Sequence, residues 1–202
     1  MNQTNKKIIT FVICSNGYGH CKRSLKVLNE IYERKPEIYF NIISNKSKIK
    51  FLRQGINPNI SRLKFHIDLM ENEPNWLENS TLNYSEFLKW ANGFRDSKII
   101  LNSDLVVSDN YAVPLLANKH TLLMGSFLWS DIIQNEVEDI RKIKAFQEKI
   151  INQNKTEMIA LNGMYMDSLQ KKANIFSVPW FTQRMVEKKK RSSNKILVTS
   201  GG

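Results

Sequence analysis

Apolar positions along this chain follow two rhythms in alternation, and the alternation predicts an architecture. Ile8 to Cys14 is an unbroken, mostly β-branched apolar run of strand length, the pattern of a strand buried on both faces in a parallel sheet. From His20 onward the spacing turns helical: Leu25, Leu28, Ile31 and Tyr32 share a face, with Lys22, Arg23, Lys26 and Glu30 mostly off it. Ser15 to Gly19 lies between them and carries two glycines, residues that permit a tight turn and close approach of a ligand to the backbone. Strand, glycine turn and helix place His20 near a helix N-terminus at the carboxyl end of a central strand. Open α/β sheets bind their ligands there.

The same alternation continues downstream. Ile38 to Ser44 reads as a second strand, and Lys46 to Gln54 as a short helix closed by Gly55. Leu63, Phe65, Ile67 and Leu69 alternate with Lys64, His66, Asp68 and Met70, which predicts a half-exposed third strand near a sheet edge. Glu71 to Ser80 is a polar loop holding Pro74 and Trp76, followed by a helix through Phe87, Leu88, Ala91 and Phe94. Asp104 to Asp109 and Thr121 to Gly125 read as strands four and five, with Pro114 just inside a short helix between them. Ile133, Val137, Ile140, Ile143, Phe146 and Ile150 step by three or four, predicting one long amphipathic helix N-capped by Ser130. Met158 to Leu161 and Ile175 to Val178 add two short strands. The expected fold class is α/β, a doubly wound, mostly parallel, Rossmann-like sheet over residues 1–186. Residues 187–194, with the run Glu187 to Arg191, read as a linker, and 195–202 (KILVTSGG) as the opening strand and glycine turn of a second, truncated domain of the same kind.

Composition narrows the class. Within 202 residues, 42% hydrophobic and 24% charged side chains describe a globular chain with room for one sizeable core. Thirty Lys and Arg against 19 Asp and Glu leave a formal charge of +11, which favours anionic partners. No helix pattern gathers Lys and Arg on one face, so nucleic acid is not an expected partner. The two cysteines, Cys14 and Cys21, make no metal or disulfide framework, and no cofactor is expected. The seven-residue apolar run at the N-terminus is too short for a membrane span, and a cytoplasmic location is expected.

Three motifs bear on chemistry. GYGHCKRS at Gly17–Ser24, DLVVSDN at Asp104–Asn110 and LVTSGG at Leu197–Gly202 together resemble the two-domain (GT-B) glycosyltransferases. The likeness is to enzymes of the UDP-glycosyltransferase type and to the N-acetylglucosaminyltransferases of peptidoglycan synthesis. It covers the whole chain as the N-terminal half of such an enzyme. The resemblance implies an acceptor-binding domain here and a nucleotide-sugar-binding domain beyond it. It further implies a UDP-sugar donor, a hydroxyl acceptor of lipid or glycan type, and peripheral association with the anionic inner face of a membrane. An inverting transfer needs a base to take the acceptor's proton, and a neutral imidazole at a helix N-terminus suits that task. His20 is therefore the expected base. Asp109, at the end of strand four where the family carries the aspartate partner of its histidine, is expected to orient it. Gly17, Tyr18, Gly19, Asp68, Asn110, Ser126 and Asn162 sit on loops at strand ends and are expected to bind substrate. Ser200, Gly201 and Gly202 would begin a donor-phosphate loop.

Two other enzyme classes meet the first motif. A dinucleotide-binding dehydrogenase fits poorly: Lys22 replaces the third glycine of the fingerprint, and Ser44–Asn45 stand where an acid should end the second strand. GYGHCKR is also similar to the nucleotide-sugar hydrolases of pseudaminic acid synthesis, in which water replaces the acceptor. A third possibility is a truncated chain that binds without transferring.

Overall fold

A computed structural model describes residues 6–78, 82–133, 137–161 and 173–179. Seven strands form one all-parallel sheet in the order β3-β2-β1-β4-β5-β6-β7, comprising β1 Ile8–Val12, β2 Tyr39–Ile43, β3 Leu63–His66, β4 Leu105–Asp109, β5 Thr121–Met124, β6 Glu157–Leu161 and β7 Asn174–Val178. The order runs outward one way from β1 to β3 and the other way from β4 to β7. The chain thus changes direction between β1 and β4, and the loops leaving these two neighbours part to opposite sides. A crevice opens at such a switch point.

Helices flank both faces, as the mixed periodicity predicts. The α1 (Tyr18–Arg34) and α2 (Lys46–Gly55) helices cover one face. There Ile9, Phe11, Ile13, Phe40 and Ile42 pack with Leu25, Leu28 and Leu52. The other face takes α3 (Tyr84–Arg95), the short α4 (Lys98–Leu101) and α5 (Trp129–Ile132), and α6 (Glu138–Asn154). Its core is aromatic. Trp90 lies 5.2 Å from Phe94 and 5.4 Å from Tyr111 between ring centroids, and Phe87 meets Phe146 edge-on at 5.4 Å. Trp76, in the polar-looking loop, is buried among them and belongs to this core.

Three expectations on element bounds need correction. Strand three stops at His66, and Asp68–Met70 turns into a 3-10 helix that buries Met70. The long helix starts at Glu138, where Glu138 and Asp139 favour the positive end of the helix dipole. Ile133 and Val137 continued its period only by coincidence of spacing, and Ile133 is buried ahead of the helix. Ser130 does not cap it: the Ser130 hydroxyl is buried in α5 and donates to Gln147 Oε1 at 2.5 Å. The linker 187–194, the strand 195–202, Trp180, Asn162 and the loop Ser200, Gly201, Gly202 lie outside the described residues. No helix among the described residues is long and apolar enough to cross a membrane.

Candidate active site

The switch point is built from the end of β1 and the end of β4. Gly17 caps α1 with φ +89, a backbone conformation that favours glycine, and no side chain occupies its N-terminus. Open space lies where β-carbons on Gly17 and Gly19 would point, so this turn is not covered by other side chains. His20, in the first turn, reaches across to β4. Its Nδ1 lies 2.7 Å from Asp109 Oδ1, with the histidine side chain 14% exposed and the aspartate fully buried.

Asp109 is held from three further directions. Arg23 Nε donates to Oδ2 at 3.1 Å and Arg23 Nη2 to Oδ1 at 2.5 Å, an edge-on grip by two nitrogens. The Ser24 hydroxyl donates to Oδ2 at 3.3 Å. Arg23 Nη2 also lies 3.3 Å from His20 Nδ1, because both nitrogens converge on the same oxygen. The crowding selects a tautomer. A proton on Nδ1 makes the 2.7 Å contact a hydrogen bond to a carboxylate, whereas a bare Nδ1 would set two acceptors face to face. With Nδ1 donating, the lone pair sits on Nε2, and no described residue bonds to that nitrogen. The arrangement is a carboxylate-oriented imidazole with a free basic nitrogen.

A second acid faces the same loop. Ser15, just past β1, donates its hydroxyl to Glu73 Oε2 at 2.5 Å, and the Tyr111 hydroxyl, two residues beyond Asp109, donates to Glu73 Oε1. Burial pushes the Glu73 carboxyl up to about 7, against the lowering effect of Ser15 and the charge of Lys48. Trp129 closes the inner side: its Nε1 donates to Cys14 Sγ at 3.1 Å, and its ring centroid stands 6.1 Å from that of His20. Desolvation and the neighbouring Glu73 charge raise the Cys14 thiol far above its ordinary range, so this cysteine is structural.

Of the other expected substrate residues, Tyr18 is half exposed and leans on α2, with its ring 4.8 Å from Phe51 and the Lys48 ammonium 4.1 Å from its centroid. Asn110 takes a left-handed φ of +62 in the sharp turn after β4, and neither its amide nitrogen nor its oxygen has a hydrogen-bond partner although the side chain is buried. A β-carbon on Gly125 would overlap that oxygen, and Gly125 itself adopts φ +152 at the end of β5. Ser126 follows at the same edge, half buried. Asp68 is not brought in: it is exposed beyond β3, the edge strand, with β2 between it and β1. A groove of about 1010 Å³ runs from Gly19, His20 and Arg23 along α1 to Asn29, with Leu161 of β6 on its rim.

Arg23, Ser24, Glu73 and Tyr111 escaped the sequence reading. The apolar period puts Arg23 off the buried face of α1, yet three and four residues past His20 are the positions that share its helical face. That spacing was a usable signal. Nothing in the sequence around Glu73 marked it. No protein-family model matches the chain, and a search of curated proteins finds no match.

Proposed function

We propose that this chain is the acceptor-side half of a glycosyltransferase, with His20 as the base that deprotonates an acceptor hydroxyl as it attacks the anomeric carbon of a nucleotide sugar. The observation that carries the reading is the His20–Asp109 pair at the β1/β4 switch point, with Nε2 unengaged. Asp109 holds the ring by Nδ1 and stabilises the imidazolium that forms, while Arg23 balances the carboxylate charge and keeps it from swinging. The open N-terminus of α1 favours negative charge near the reacting atoms. The motif resemblance supplies the donor class, a UDP-sugar, and a second domain beyond residue 194 to hold it, with Ser200, Gly201 and Gly202 at its first phosphate loop. It also supplies a lipid or glycan acceptor and a cytoplasmic, membrane-peripheral setting.

The test is transfer of labelled sugar from UDP-sugars by the full gene product, with and without hydroxyl acceptors. Acceptor-dependent transfer that collapses in His20→Ala supports the reading. Sugar release to water at the same rate without any acceptor would assign the pair to hydrolysis instead. Undiminished transfer in His20→Ala would remove the base.

A further inference from the structure

The sheet face under α3 is apolar only in part. Val12, Cys14, Ile43 and Val106 form its core, but closer to the strand beginnings the same face presents Thr10 of β1 beside Asn41 of β2, and Asn41 beside Lys64 of β3. Parallel sheets usually bury both faces, so a polar row across three strands needs a reason. The row is hydrogen-bonded as one chain. His66 Nε2 and Asn41 Oδ1 are 3.2 Å apart, Asn41 Nδ2 donates to Thr10 Oγ1 at 3.3 Å, and Thr10 Oγ1 lies 2.6 Å from Ser103 Oγ. Ser103 in turn donates to the Ile99 carbonyl at 2.7 Å. The last donor fixes the direction of the rest, so His66 contributes an Nε2–H and keeps its lone pair on Nδ1.

Above this floor lies a cavity of about 500 Å³, walled by Lys6, Arg62, Lys64 and Lys98. Its described lining contains no Asp or Glu, and none of these four cations forms an ion pair with a described residue. Tyr39 steadies two of them, with Lys6 Nζ 3.9 Å and Arg62 Cζ 5.0 Å from its ring centroid. Arg62 Nη1 also donates to the backbone carbonyl of Glu37 at 2.9 Å, and the exposed Glu37 carboxylate forms no ion pair with any of the four cations. The other neighbouring acids are otherwise placed. Asp104 is taken by Lys7 at 2.9 Å and by the Ile8 amide, and Asp68 lies past the end of β3, where its charge acts on His66. Burial, with Lys64 adding to it, lowers the His66 pKa against the pull of Asp68, so the imidazole enters the pocket neutral at pH 7.

We propose that this pocket is a second ligand site, separate from the His20–Asp109 crevice and on the opposite sheet face, that binds a phosphate-bearing anion. Four like charges around one recess repel each other, and a multiply charged oxyanion relieves that repulsion while accepting hydrogen bonds from Arg62 and the lysines. The recess has the size of a phosphate ester or a lipid headgroup. The proposal does not depend on the chemistry assigned to His20.

Titration of the full chain with inorganic pyrophosphate, followed by the NMR resonances of the His66 imidazole, tests it. Saturable shifts are expected, with a rise in the His66 pKa on binding. The Arg62→Glu, Lys64→Glu double variant, at two exposed positions, should weaken binding about tenfold or more. Lys89→Glu, Lys149→Glu carries the same charge change outside the pocket and should leave binding unchanged. Vesicles of phosphatidylglycerol, with phosphatidylcholine as reference, separate the sources: vesicle binding lost in the pocket variant, without a pyrophosphate effect, would assign the same site to a lipid phosphate. Equal weakening by the two double variants would reduce the effect to net charge and overturn the proposal. So would an unmoved His66 signal with both probes.

Discussion

Arg23 grips Asp109 edge-on, Nε to Oδ2 and Nη2 to Oδ1, although the two residues lie 86 positions apart and Asp109 has no exposed side-chain surface. The grip explains how a carboxylate can sit at the end of a central strand at all, since an unpaired buried charge is strongly unfavourable. Arg23→Met should therefore lower unfolding free energy by about 3–5 kcal/mol in urea titration, the usual result of stranding one partner of a buried pair. Arg23→Lys should recover only part, because an ammonium cannot present two parallel donors. A loss under about 1 kcal/mol for Arg23→Met, the range of exposed pairs, would show that Asp109 is balanced by something else.

Gly125 and Asn110 make a steric pair. Any β-carbon on Gly125 meets the Asn110 side-chain oxygen, and φ +152 strains an L-residue there as well. Gly125→Ala is expected to destabilise by about 2–3 kcal/mol, from overlap plus backbone strain. Asn110→Gly keeps the left-handed turn, since glycine adopts φ +62 freely, and removes the overlapping atom. The double variant should then be more stable than Gly125→Ala alone. Strict additivity in that cycle would count against the contact.

Glu73 predicts a pH dependence with a definite sign. Burial raises its folded pKa from 4.5 to about 7, so the folded state binds the proton more tightly than the unfolded chain. The stabilisation from this group is complete below about pH 4.5 and is lost as pH climbs through 7. Its full size is on the order of 3 kcal/mol. Lys48 from α2, Cys14 and Ser15 just past β1 and Tyr111 after β4 share its surroundings. Urea unfolding of wild type and Glu73→Gln at pH 5 and pH 8 isolates the effect. The wild type should lose stability relative to the variant on going to pH 8, and parallel curves would remove Glu73 as the titrating group.

The sheet was legible because its signal is local. Seven short apolar runs between helical stretches name a parallel α/β sheet without any knowledge of contacts, and β1 and β4 were bounded to within two residues. The dyad was half legible: a glycine turn after a strand marks His20, and DLVVSD marks Asp109, but only the strand order β1-β4 makes them neighbours. Arg23 was visible in principle from its helical spacing to His20. Glu73 was not, because it reaches Ser15 and Tyr111 through a loop whose path is set by burial of Trp76 and Met70. The long-helix boundary at Ile133 was misread because a chance i, i+4 repeat cannot be told from a continuing helix by period alone. Polar positions on strands, Asn41 and His66, carried no signal until three strands aligned them.

The last prediction concerns the chemistry proposed for His20. With Nδ1 bound to Asp109, Nε2 is the only ring nitrogen able to accept a proton, and it has no competing partner among the described residues. In the full gene product under saturating donor, His20→Ala should lower the turnover number by about two to four orders of magnitude, the range for a general base. Donor affinity should change little, since the proposed reading assigns the nucleotide to a second domain. Asp109→Asn should cost less. Its amide oxygen can take the place of Oδ1, where Arg23 Nη2 and His20 Nδ1 already converge, so the ring keeps its tautomer while losing the charge that stabilises its protonated form. The same substitution sets an amide against Arg23 Nε and the Ser24 hydroxyl, so its loss of stability should exceed that of His20→Ala. The two variants are thus expected to rank oppositely in rate and in stability. A shared ranking would mean that the pair acts as a structural tie, and unchanged turnover in both would remove it from the reaction.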